Sequence, residues 1–210
     1  MINNYKCKIC RRLGVKLFLK GDKCLSPKCL MIKKPYPPGQ KKNQRRRSGS
    51  EYSKELAEKQ KLKNWYNLQE SQFRKYVKEA LEKRGKIENT GGFLIKKIES
   101  RLDNVVFRMG FAISRSQARQ FVSHGHFLIN GRKNNISSCQ IKKGDIVALR
   151  PDSAKKIIFK NILPLLKKYN PPSWIKLDAV KLEGKIIGEP TLEEASPPAE
   201  ISAIFEFYSR

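Results

Sequence analysis

Apolar side chains recur at intervals of three and four residues over several stretches of the chain, and elsewhere they alternate with polar ones. The two periods separate helices from strands. Glu51 to Tyr66 reads as a mixed-charge helix. Ser71 to Arg84 places Phe73, Tyr76, Val77, Ala80 and Leu81 on one stripe, with Ser71 as N-cap and Gly85 as stop. Thr90-Gly91-Gly92 is expected to break the chain. Ile98, Leu102, Val105, Val106 and Met109 keep helical spacing up to Gly110. Ser114 and Gln117 form a capping box for a further helix through Ala118, Phe121 and Val122, ended by Gly125. A strand over His126–Ile129 follows, and Asn130-Gly131 is the dipeptide best suited to a two-residue hairpin turn. Gly144-Asp145 marks another turn, before the apolar strand Ile146–Leu149. Trp174 to Pro190 alternates around Glu183-Gly184, which predicts a further hairpin. Ile201, Ile204, Phe205 and Tyr208 predict a short terminal helix that docks by that face. The fold class is α+β, with no internal repeat.

Punctuation and charge divide the chain into five blocks: 1–34, rich in cysteine; 35–50, a basic Pro/Gly-rich connector; 51–92, helical; 93–169, an α+β module; and 170–210, acidic. The chain has 210 residues and a formal net charge of +26. Residues 1–50 hold 15 Lys and Arg against the single acid Asp22, whereas 170–210 hold four basic residues against seven acids. Self-repulsion on this scale is relieved by a polyanion, and nucleic-acid phosphates are the commonest supply. A small-molecule substrate gives no reason for it. The acidic block would repel phosphates, so it is expected to pack on the helical domain and to face a protein partner. Apolar runs such as Ile162–Leu166 fall far short of the roughly 18 residues of a membrane span, and the first twenty residues lack the apolar core of a secretory signal. A cytoplasmic, reducing location is expected.

Cys7, Cys10, Cys24 and Cys29 follow C-x2-C-x13-C-x4-C. Two close pairs joined by a loop suit four thiolates converging on one Zn²⁺, which would order the 1–34 block as a knuckle without a core of its own. An iron–sulfur cluster on the same four cysteines is the alternative. The role is structural in either case, since four protein ligands leave zinc no open position. Cys139 stands alone and reads as a small packing residue.

On the helix that opens at Ser114, Arg115 and Arg119 lie one turn apart, away from Phe121 and Val122. Arg108 closes the preceding helix, His124 and His126 flank Gly125, and Arg132 and Lys133 follow the Asn-Gly turn. Guanidinium forks match phosphate oxygens, and the free amides at a helix start add an anion site. These seven residues form the expected RNA-reading face. Lys41, Lys42, Arg45, Arg46 and Arg47 in the connector are a second basic set. No constellation of carboxylates or nucleophiles marks an enzyme. An RNA-modifying enzyme is therefore the less favoured class, and a zinc-containing regulator of mRNA is an alternative that the same residues permit.

The string RLDNVVFRMGFAISRSQARQFVSHGHFLINGR, residues 101–132, resembles the RNA-binding module of the small-subunit ribosomal protein four family. CKICRRLGVKLFLKGDKCLSPKC with KPYPPG resembles the cysteine-bearing extension of its bacterial, zinc-binding form, and the likeness extends to EYSKELAEKQKLKNWYNLQESQFRKYVKEA and the closing EFYSR. The resemblance implies a helical domain in two separated pieces with the α+β module inserted between them. It implies a non-enzymatic constituent of the small ribosomal subunit that binds the 5′ domain of 16S rRNA early in assembly. It further implies that the connector lies beside the path of mRNA into the subunit. Small-subunit proteins five and three would be neighbours. Contact with protein five, which bears on translational fidelity, would fall in the acidic end, where Glu200, Ile201 and Glu206 are the candidates. The segment TLEEASPP, residues 191–198, is more acidic than that family leads one to expect.

Overall fold

The computed structural model describes residues 6–39, 49–85, 89–166 and 168–209. The connector's Lys41, Lys42, Arg45, Arg46 and Arg47 therefore lie outside the described residues. Along the chain come α1 (Lys6–Leu13), α2 (Asp22–Leu25), α3 (Leu30–Lys33), α4 (Glu51–Trp65), α5 (Glu70–Glu82), α6 (Thr90–Glu99), α7 (Leu102–Arg108) and α8 (Arg115–Ser123). Strands β1 (Phe127–Ile129), β2 (Arg132–Asn134) and β3 (Ile146–Leu149) follow, then the single turns α9 (Pro151–Ala154), α10 (Ile157–Lys160) and α11 (Leu163–Leu166). β4 (Ile175–Asp178), β5 (Glu183–Ile186), α12 (Leu192–Ala195) and α13 (Ile201–Ser209) complete the order. The chain forms two units: Met1–Leu94 with Ser196–Arg210, and Ile95–Ala195.

The first unit is helical and joins distant parts of the sequence. α13 packs on α4 and α5, burying Ile204 and setting Phe207 against Tyr52 at 5.5 Å and Tyr208 against Phe73 at 6.2 Å between ring centroids. The buried Lys59 donates to Glu70 at 2.8 Å and lies 4.4 Å over the Phe207 ring. The Tyr208 hydroxyl donates to the same carboxylate at 2.8 Å. Burial alone would raise the Glu70 pKa; Lys59, Lys63 and the Tyr208 hydroxyl outweigh it and hold the group down to about 2. The α5 helix opens at Glu70 behind Gln69, one residue before the expected N-cap Ser71. Thr90-Gly91-Gly92 does not break the chain. The Asn89 side chain accepts from the Gly92 N–H at 2.7 Å, so the glycines form the first turn of α6.

The second unit holds one antiparallel sheet of order β2-β1-β3-β5-β4. Val106, Met109, Phe121, Val122, Phe127 and Val147 lie at the centre of its core. The helix expected from Ile98 to Met109 is interrupted, because Arg101 adopts an extended backbone (φ −69, ψ 141). The Ile141 N–H bonds to Ser100 O, and the Leu102 N–H to Cys139 O, both at 2.8 Å. Pairing with the β2–β3 loop replaces two helical bonds, and the buried Arg101 stays neutralised by Asp103 at 2.7 Å.

The β4–β5 turn also differs from expectation. The reversal falls between Asp178 and Glu183, with the Asp178 carboxylate accepting from the Val180 and Lys181 N–H groups at 2.9 and 3.1 Å. Glu183-Gly184 is inside β5, where Gly184 pairs with Val147 and Leu177. A Cβ on Gly184 would lie 2.4 Å from Met109 Cε, so the missing side chain lets α7 close on the sheet. Since β4 and β5 pair into this sheet, the unit boundary falls after Ala195, in place of the 169/170 boundary read from composition.

Candidate nucleic-acid interface

β2 is an edge strand, and its Arg132 and Lys133 are exposed. Asn130 (φ 49) and Gly131 (φ 80) supply the two positive φ angles that the β1–β2 turn requires. Asn130 also ties this turn to the start of β3. Its amide donates to Asp145 Oδ1 and its oxygen accepts from the Ile146 N–H, each at 2.9 Å. Asp145 in turn accepts from the Lys142 N–H at 2.8 Å. The exposed Lys142 and Lys143 are thereby held at the same end of the sheet as Arg132. Their signal in the sequence was a lysine pair directly before the Gly144-Asp145 turn.

The end of α8 joins this surface. His124 is exposed at its C-cap. Gly125 follows at φ 69, and a Cβ there would stand 2.5 Å from Lys133 Cε. The bare glycine lets the Lys133 stem cross the helix end next to His124, while Arg132, its neighbour on β2, lies on the other face of the strand. Arg119 is half-buried on α8.

The other three residues of the expected face are placed differently. Arg108 turns onto Glu99, with Nε at 3.0 Å and Nη2 at 2.7 Å from the two carboxylate oxygens, and Nη2 also reaches Ala195 O at 3.2 Å. Arg115 donates to Asn104 Oδ1 at 2.9 Å and lies 4.6 Å over the Phe107 ring, so it does not project beside Arg119. Glu99 is 1% exposed and also accepts from the Asn104 amide. It draws both arginines inward, and sequence reading assigned it no role. His126 is buried, with Nδ1 2.9 Å from Ser153 Oγ and its ring edge-on to Phe159 at 5.3 Å. Burial, then the positive charge of Lys156 and Arg150, pushes its pKa below the ordinary value. A neutral, packed imidazole serves the core. At the α8 start, Ser114 Oγ accepts from the Gln117 N–H, and Gln117 Oε1 accepts from the Ile113 N–H at 2.9 Å. The Gln117 amide, which an anion at the helix start would have used, is thereby satisfied.

The expected zinc site, and the iron–sulfur alternative with it, is corrected. Among the described residues no group of three or more His, Cys, Asp or Glu side chains is gathered so as to hold a metal ion. Cys7 and Cys10 sit on the helix α1 where a knuckle hairpin was expected; Cys24 lies in α2 and Cys29 caps α3. All four thiols are free, and the four cysteines line one cavity with Leu19, Met31 and three lysines, Lys6, Lys16 and Lys20. Burial, and after it the neighbouring Cys24, Cys7 and Cys29, push the Cys10 thiol above its ordinary value against a backbone hydrogen bond with Leu17.

At the acidic end, the Glu200 carboxylate accepts from the Ser202 hydroxyl at 3.1 Å, while its N–H donates to Glu58 at 3.0 Å. Glu200 and Glu206 are exposed, and Ile201 is half-buried next to Gly91. Among the described residues, no helix is long and apolar enough to cross a membrane.

Comparison with known proteins adds a second line. Residues 2–99 match the Ribosomal protein S4/S9 N-terminal domain, and residues 100–147 match the S4 domain. The chain is 45% identical over 204 residues to small ribosomal subunit protein uS4 of Natranaerobius thermophilus, covering 97% of this chain and 96% of that one. It is 44% identical, with the same coverage, to the uS4 proteins of Thermus thermophilus and Kosmotoga olearia.

Proposed function

The chain belongs to the uS4 family of small-ribosomal-subunit proteins, and on that premise we propose how its basic surface works. It is a structural component of the small ribosomal subunit that binds rRNA, and it is not an enzyme. The observation that carries the surface assignment is the stapled end of the sheet, where Arg132, Lys133, Lys142 and Lys143 stand exposed around the Asn130–Asp145 link. Arg119 and His124 extend it along α8. Cations held on strands and a pinned turn lose little freedom on binding, and they grip phosphates by position with no base read.

The finer reading is that this surface engages the 5′ domain of 16S rRNA early in assembly. The connector's Lys41, Lys42, Arg45, Arg46 and Arg47 lie along the path of mRNA, and Glu200, Ile201 and Glu206 face protein five, with protein three a further neighbour. Its support is the match over nearly the whole chain and the separation of basic from acidic blocks. Arg132→Ala and Lys133→Ala test the surface. Each should weaken binding to a 16S 5′-domain transcript and lower the slope of log K against log salt by about 0.7 to 0.9. An unchanged slope in both variants would mean that these cations are merely solvated.

A further inference from the structure

On the basis of that place in the small subunit, we propose that an exposed aliphatic ridge, Ile157, Ile158 and Leu165, docks an acidic amphipathic segment of a neighbouring protein. The segment 155–166 carries apolar side chains beyond those that its inward face buries. Phe159, Ile162 and Leu166 supply its inward face and are buried in the core of the second unit. Ile157, Ile158 and Leu165 are left over, at 76%, 53% and 61% exposure. Single exposed aliphatics are ordinary, but three in one short stretch whose inward face is already filled mark a contact surface.

Charge specifies the partner. Lys155, Lys156, Lys160 and Lys168 are exposed around the ridge, and no carboxylate occurs between Asp152 and Asp178. Asp152 itself is engaged by Arg150 at 2.7 Å. The complement is therefore apolar residues at helical spacing, flanked by Asp and Glu. Four lysines alone would suit rRNA, but RNA covers protein by stacking bases on aromatic or guanidinium planes and by phosphate contacts. Isoleucine and leucine offer neither, so against RNA the ridge would stay wet. A protein segment satisfies both features at once.

The test places the photo-crosslinking residue p-benzoylphenylalanine at Ile157, and separately at Leu165, in the full chain. Small subunits carrying it are purified, irradiated and digested, and the adducts are identified by mass spectrometry. The expected adduct at both positions is a net-acidic protein segment with helically spaced apolar residues. Ile157→Asp, combined with the crosslinker at Leu165, should abolish it. Adducts to rRNA alone, to a basic or wholly polar protein surface or to lipid, or no adduct at all, overturn the proposal. Failure of the chain to sediment with small subunits is a separate result, which overturns the ribosomal reading and this proposal with it.

Discussion

Glu99→Gln removes one negative charge from a carboxylate that is 1% exposed while keeping the shape of the side chain. The wild-type group accepts two charge-assisted bonds from Arg108, at 2.7 and 3.0 Å, has Arg115 Nη2 at 3.9 Å, and accepts from Asn104 as well. The Arg108 and Arg115 side chains are 18% and 11% exposed, so water can replace only part of what is lost. Removing one partner of a buried pair costs about 3–5 kcal/mol, and the residual access at Arg108 argues for the lower end, about 3 kcal/mol. For a unit of this size, that lowers the melting temperature by roughly 10–20 °C. Calorimetry of the full chain, with hydrogen exchange of α7 and α8 amides, measures the loss. Glu206→Gln on an exposed site serves as control. Adding Arg108→Met to Glu99→Gln should recover part of the loss, because an uncompensated guanidinium is what destabilises the single variant. A change below about 0.5 kcal/mol, the scatter of surface substitutions, would refute the claim that Glu99 holds these arginines inward.

Gly125→Ala should cost about 1 kcal/mol for a β-carbon at φ 69. It should also displace the Lys133 stem 2.5 Å away, so that rRNA affinity falls while the fold persists; unaltered affinity would separate Lys133 from the interface. Glu70 is held at about 2 in the folded chain against an ordinary 4.5, so the protonated form is favoured by unfolding. The stabilisation of α13 is full above pH 4.5 and is lost as pH falls from 4.5 toward 2. Glu70→Gln should flatten that acid limb in hydrogen exchange of the α13 amides, and an identical limb in the variant would assign it to other carboxylates.

Helical period revealed which face of a segment is buried wherever burial outweighs the other forces on it. Phe73, Tyr76, Val77 and Ala80 on α5, and Ala118, Phe121 and Val122 on α8, are buried as their spacing implies. The Asn130-Gly131 turn was legible for a different reason, since two successive positive φ angles restrict the choice of residue. Period could not show the break at Arg101, where the competing partner is a loop some forty residues onward. Nor could it distinguish a glycine needed for a turn from Gly184, which is needed because Met109 approaches it. The largest miss in the site, the inward course of Arg108 and Arg115, has the same origin. A guanidinium fork fits a carboxylate and a phosphate equally well, and only the fold shows that Glu99 lies within reach. Cysteine spacing did bring the four residues to one cavity, but it could not show that α1 forms through Cys7 and Cys10, and no group able to hold a metal is found among the described residues.

The edge position of β2 bears on how the salt test is read. An open strand edge invites pairing with another chain, and exposed Lys or Arg on it is a common safeguard. Arg132 and Lys133 can thus serve two ends at once, keeping β2 from adding a foreign strand and offering donors to phosphate. Losing them could weaken apparent rRNA binding by either route, and the routes leave different traces. Self-association through β2 would make sedimentation depend on protein concentration while the salt slope of the remaining monomer stayed as it was. Loss of phosphate contacts would lower the slope in a chain that stays monomeric. Lys142 and Lys143 stand off the edge, on the loop held by Asp145, so alanine there touches only the second route. If their substitution lowers the slope as Arg132→Ala does, phosphate contact is the common cause, and edge protection at β2 is incidental to RNA binding.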